Sequence, residues 1–116
     1  MDYLGWTLRT FVPFSSFGFL PTRRVPNYQD NPVVIIGCDT GMGNAMVHYL
    51  VNELQLRKVY AGCFTEEGER GLSLLRTVKT FRIDVRDVTS VHLAAQFIQD
   101  REPNGVFAVV NIAGAM

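Results

Sequence analysis

The sequence predicts an α/β fold: a doubly wound parallel sheet of about four strands with helices on both faces. Three observations predict it. From Val33 onward, short β-branched runs alternate with amphipathic helical stretches. A glycine-rich turn, Gly37-Cys38-Asp39-Thr40-Gly41-Met42-Gly43, follows the first such run and precedes the first helical stretch. The chain has 116 residues, 47% of them hydrophobic, which is enough for one core and too apolar for a disordered polypeptide.

Residues 1–32 stand apart from this pattern. Tyr3, Trp6, Phe11, Phe14, Phe17 and Phe19 crowd into an aromatic stretch that ends at Arg23-Arg24. The uncharged run between Arg9 and Arg23 is too short to span a bilayer as a helix, and Pro13 interrupts it. Three readings stand level. The first is an interfacial anchor, with rings at headgroup depth and arginines on anionic lipid. The second is an organelle-targeting leader, since Asp2 is the sole acid before Asp30. The third is a plain N-terminal extension. Pro21, Pro26, Asn27, Asp30, Asn31 and Pro32 then form a linker, and the domain is expected over 33–116.

Each element has its own reason. Val33 to Ile36 is a continuous β-branched run, as a strand buried on both faces requires. Gly43 to Leu54 is read as a helix, with Met46, Leu50 and Leu54 on one stripe and Val47 beside it. Val59 to Cys63 is a second strand. Thr65 can cap a helix from Glu66 toward Leu75, although Gly68 and Gly71 weaken it. Thr80 to Ile83 is a third strand. Asp87 or Thr89 caps the next helix, whose stripe is Val91, Ala94, Phe97 and Ile98. Pro103-Asn104-Gly105 is a turn, and Val106 to Val110 is a fourth strand. Right-handed crossovers would wind these units into the first half of a Rossmann-like sheet.

Composition narrows the function. With 11 basic and 11 acidic residues, nothing electrostatic recommends nucleic acid as a partner. Cys38 and Cys63 form neither a disulfide framework nor a metal motif, and read as reduced thiols. They would lie at the ends of adjacent strands, where a redox role competes with plain burial. His48 and His92 fall on predicted helices away from any ligand cluster, so no metal is expected.

The glycine turn points to a phosphate. A helix N-terminus offers unpaired amides and the positive end of a dipole, and glycines before it let the backbone approach a pyrophosphate. Gly37 would end the strand, Gly41 lie in the turn and Gly43 open the helix. The spacing is G-x-x-x-G-x-G rather than G-x-G-x-x-G, and its strength comes from the strand before it and the helix after it. Asp39 would brace the loop amides, with Met42 beside it. At the end of the second strand, an acid would bond the adenosine ribose and an arginine would favour a 2′-phosphate. Cys63 holds that place, followed by Phe64, Thr65 and Glu66, and no base sits in the glycine turn. The missing positive charge tilts the expectation toward NAD over NADP.

From Val33 on, the chain resembles the short-chain dehydrogenase/reductase superfamily. That family's T-G-x-x-x-G-x-G loop is matched by Gly37, Gly41 and Gly43, and its N-N-A-G element resembles Asn111-Ile112-Ala113-Gly114. Its D-V element, whose acid contacts the adenine, resembles Asp84-Val85. Within the superfamily, Gly37-Cys38-Asp39-Thr40-Gly41-Met42-Gly43 and Ala61-Gly62-Cys63 look like the branch of retinol, 17β-hydroxysteroid and 3-hydroxybutyrate dehydrogenases. Ile36 stands where the family has threonine, and Ile112 where it has the second asparagine. The resemblance implies that Gly37, Gly41 and Gly43 seat the pyrophosphate, Asp84 and Val85 frame the adenine, and Asn111, Ala113 and Gly114 line the cleft.

It also implies that the chain is an N-terminal piece of such an enzyme. The family's catalytic serine and Tyr-x-x-x-Lys pair come later, and none of Tyr3, Tyr28, Tyr49 or Tyr60 has lysine four residues on. No catalytic residue is therefore named, and the chain as it stands is not expected to catalyse. The complete enzyme would move hydride between NAD(P) and a lipophilic alcohol or ketone of retinoid, steroid or hydroxy-acid type. It would be intracellular, associated with membrane at the endoplasmic reticulum or mitochondrion, and a homo-oligomer if full length. Two alternatives remain. One is a truncated, non-catalytic module that binds a dinucleotide or dimerises. The other, ranked below it, is a methyltransferase-type nucleotide fold, which would want an acid where Cys63 stands.

Overall fold

A computed structural model describes residues 26–114, and the aromatic stretch read above as anchor, leader or extension lies outside them. The elements run β1 (Val33–Ile36), α1 (Gly41–Asn52), β2 (Val59–Cys63), α2 (Glu66–Leu72), β3 (Val78–Arg82), α3 (Val88–Arg101) and β4 (Ala108–Asn111). All strand pairings are parallel, and the order across the sheet is β3-β2-β1-β4. Val33 lies opposite Val59 on one side and Ala108 on the other.

The parity of the strands sorts the core into two layers, because successive side chains leave a strand on opposite faces. Val33, Ile35, Val59, Ala61 and Cys63 join Val47 of α1 and Leu72 of α2 on one face. Val34, Tyr60, Phe81 and Ile83 meet Ala94 of α3 on the other. This is the doubly wound arrangement expected from the sequence. β2 is buried at every position, while β4, an edge strand among the described residues, alternates with Val109 exposed.

Element boundaries shift for local reasons. α1 starts at Gly41, directly after the extended Thr40, rather than at Gly43. It stops at Asn52 rather than Leu54, because the Leu54 amide reaches back five residues to the Tyr49 carbonyl and Gln55 takes φ 57°. The helix expected toward Leu75 ends at Leu72. β3 begins two residues earlier than expected, at Val78, which pairs with Val59. β4 begins later, at Ala108 opposite Val33, with the Phe107 amide donating to the Pro32 carbonyl just before it, and it reaches Asn111 opposite Ile36. Asp87 is the cap of α3, accepting from the Thr89 amide at 3.0 Å.

Residues 27–32 are tied to the base of the sheet. Tyr28–Asp30 form a short 3-10 turn, the Arg57 amide donates to the Gln29 carbonyl, and the Arg57 guanidinium pairs with Asp30 at 2.6 Å. At the same base the Tyr60 hydroxyl donates to Glu102 at 2.6 Å.

Candidate functional site

Strand order alone picks out one place. β1 leads to β2 and β3 on one side, and β4 lies on the other, so the winding reverses between β1 and β4. Ligands of open α/β sheets sit outside the carboxyl ends of the strands at such a reversal. Two of the three sequence-predicted motifs meet there. Gly37 takes φ 96° and leaves β1 beside the exit of β4. The Ile112 amide donates to the Ile36 carbonyl at 2.8 Å, and the Asn111 side chain accepts from the Ala113 amide at 3.1 Å. A Cβ on Gly37 would fall 2.6 Å from the Ala113 nitrogen, so only glycine lets the two turns lie back to back.

The loop is folded under the start of α1. A Cβ on Gly43 would run into the Gly37 carbonyl oxygen, so this glycine is a packing requirement. Asn44 reaches back from α1 and donates to the Cys38 carbonyl at 3.2 Å. The side facing outward is open. Gly41 has no neighbour within 4 Å of where its Cβ would be, Met42 is exposed, and Thr40 makes no side-chain cap to the helix. An uncapped helix N-terminus with unhindered backbone fits a pyrophosphate.

Asp39 crosses from this loop to the next. Its carboxylate accepts from the Phe64 amide at 2.8 Å, the Thr65 amide at 2.7 Å and the Thr65 hydroxyl at 2.6 Å. Burial pushes the carboxyl upward, but the Thr65 hydroxyl and the two amides outweigh it and hold Asp39 below the ordinary carboxylate value. Gly68, which weakens α2 on propensity, makes room for that carboxylate: a Cβ there would lie 2.7 Å from Oδ2. Thr65 also caps α2 by accepting from the Gly68 amide.

Cys63 lies at the end of β2, but its side chain is fully buried on the face covered by α1 and α2, and so is that of Cys38. Burial drives both thiols up to about 12, each pushed further by a neighbour, Cys63 for Cys38 and Asp39 for Cys63. They are held as neutral thiols, and Cys38 donates to the Ile35 carbonyl. Cys63 gives the cleft no side chain. Phe64, the next residue, is exposed.

Asp84 and Val85 follow β3 at the far end of the same strand edge. Asp84 accepts from the backbone and guanidinium of Arg86, with Nε to Oδ1 at 3.0 Å and Nη2 to Oδ2 at 3.2 Å, and these bonds hold its carboxyl low. Its amide donates to Ser90 of α3 at 2.8 Å. Val85 is exposed. Gly114 has nothing near its missing Cβ. The anchors Asn44, Ser90 and Arg86 were not anticipated. The first two lie in the first turn of a helix, where side chains can turn back on the preceding loop. Arg86 lies two residues after the aspartate it binds.

Elsewhere, His48 is half-buried on α1 and His92 exposed on α3, and no group of three or more metal-ligating side chains forms among the described residues. No described helix is long and apolar enough to cross a membrane.

No family model matches the chain. Individual proteins do. It is 38% identical to human short-chain dehydrogenase/reductase family 9C member 7 over 108 residues, covering 90% of this chain and 34% of that protein. It is 33% identical to mouse retinol dehydrogenase 7 over 112 residues, covering 94% and 33% respectively. It is also 33% identical to bovine 17-beta-hydroxysteroid dehydrogenase type 6 over 99 residues, covering 83% and 31%. The chain thus spans about a third of the length of these relatives. In fold it is similar to Sniffer of Caenorhabditis elegans, a solved structure assigned as a carbonyl reductase, with a TM-score of 0.67 at 21% identity over 75% of this chain and 38% of that one.

Proposed function

This chain belongs to the short-chain dehydrogenase/reductase superfamily, and we propose that it is the cofactor-holding part of an NAD(P)-dependent dehydrogenase for a lipophilic alcohol or ketone. One observation carries the reading: the glycine turn and the Asn111–Gly114 turn meet back to back at the reversal of strand order, beneath an uncapped helix.

In this reading the backbone of Gly37, Gly41, Met42 and Gly43 seats the pyrophosphate against the start of α1. Asp39 keeps that loop in register with the β2–α2 connection, beside which the adenosine lies. Asp84 and Val85 frame the adenine, and Asn111, Ala113 and Gly114 border the cleft on the β4 side. The nicotinamide, when bound, supplies or accepts hydride. The lipophilic substrate is drawn from the retinol and hydroxysteroid dehydrogenases among the relatives. The aromatic stretch of residues 1–20 supports association with a membrane surface, and co-sedimentation with anionic vesicles tests that part.

Titration of the chain with ADP-ribose, followed by calorimetry, tests the cofactor site. Saturable binding that Gly41→Ala weakens in a chain that still melts cooperatively supports the reading: a Cβ there meets nothing inside the protein, and thermal denaturation reports the left-handed strain at φ 65° separately. Absence of binding by a folded chain overturns it.

A further inference from the structure

The adenosine end of the cleft carries a charge pattern that the order of residues conceals. β2 ends at Cys63, which lies opposite Arg82 in the sheet. The Arg82 guanidinium reaches past it and donates to the Phe64 carbonyl at 2.9 Å. Arg86, from the loop after β3, lies over the Phe64 ring at 5.4 Å from its centroid. Two guanidinium groups therefore converge on the residue that follows β2.

The acids at that end are largely engaged. Asp39 is held by three donors, and Asp84 by Arg86 itself. Glu66 lies within 3.9 Å of Arg70. Glu67 and Glu69 in the first turn of α2 are the opposing charges. Arg86 is 70% exposed, and Asp84 occupies only its Nε and Nη2. Its remaining donors are open to an anion, in the planar fork suited to phosphate.

We propose that Arg86, steadied by Asp84 and Phe64 and backed by Arg82, reads the adenosine 2′ position and favours a dinucleotide carrying a 2′-phosphate. The inference rests on the cofactor reading above and reverses the preference for NAD expected from the bare sequence. The end of the second strand is where an arginine selects the 2′-phosphate and a free acid selects the ribose hydroxyls. Here the strand itself ends in Cys63 rather than an acid, and the arginines arrive from the neighbouring strand and the loop that follows it.

The test is calorimetric binding of the full 116-residue chain to adenosine 2′,5′-bisphosphate and to adenosine 5′-phosphate at low salt. The bisphosphate should bind about tenfold more tightly, the effect of one good charge-assisted contact. Arg86→Ala should bring the ratio of the two affinities to about one, Arg86→Lys should keep part of the preference, and Glu67→Gln should widen it. Equal affinities in the native chain, or a preference untouched by Arg86→Ala, would overturn the assignment and leave the cofactor reading standing. Binding of neither probe by a folded chain would overturn both.

Discussion

The proposed dinucleotide cleft has a pyrophosphate end and an adenosine end, and the two are built from different materials. The pyrophosphate end is backbone: Gly37 against Ala113, Gly43 against Gly37, and Gly41 open outward. The adenosine end is side chain: Arg82 on the Phe64 carbonyl, Arg86 over the Phe64 ring, and Asp84 gripping Arg86. A backbone-built end fails when atoms are added, because nothing in it can move aside. A side-chain end fails when atoms are removed, and then only in what it recognises.

The largest break in this comparison should come from a single methyl group. Gly43→Ala places a carbon on the Gly37 carbonyl, and we expect a loss of about 3 kcal/mol or more in denaturant unfolding, since both contacting groups are main chain. Gly37→Ala adds left-handed strain at φ 96° to the clash with Ala113 and should cost about 2–3 kcal/mol. Thermal denaturation with and without ADP-ribose separates lost fold from lost site in both variants.

Asp39 sharpens the comparison, because it joins the two ends. Asp39→Asn should cost about 1.5 kcal/mol by weakening three charge-assisted hydrogen bonds. Its carboxyl is held below the ordinary value of 3.8, so its contribution is complete above that pH and is lost as pH falls through the lowered value. The Asn variant should lack this share of the acid slope below about pH 4, read from unfolding at a series of pH values.

Tyr60→Phe, at the opposite end of the sheet, should cost about 1 kcal/mol through the lost bond to Glu102 and leave nucleotide binding unchanged. A changed affinity would show that the base and the cleft are coupled. The smallest effect belongs to the cysteines. Their thiols are pushed up to about 12 by burial, so a thiol reagent at neutral pH should label neither in the native chain and both after unfolding.

The same difference in material decides how much of the molecule was legible in advance. Val33–Ile36 and Val59–Cys63 were found by their β-branched and apolar runs, and the parallel sheet by their alternation with helices. The glycine turn at the proposed pyrophosphate end was legible because glycine spacing states a backbone requirement directly in the sequence. The adenosine end was not. Arg82 comes to Phe64 only through the register of β2 against β3, and that register is a long-range fact. Cys63 illustrates the same limit. Its position at the strand end was read correctly, but one step of the β pleat turns its sulfur into the core and leaves Phe64 to line the surface.

The strand order also bears on how the chain comes into being. Of the four described strands β1 is made first yet stands inside the sheet, and its second neighbour, β4, is made last. At ribosomal speeds the interval between them is on the order of several seconds. Throughout it, one edge of β1 has no partner, and the back-to-back turns of Gly37 and Ala113 cannot form. The back-to-back turns therefore cannot close before β4 is made, and the open edge of β1 is the surface a chaperone would have to guard until then.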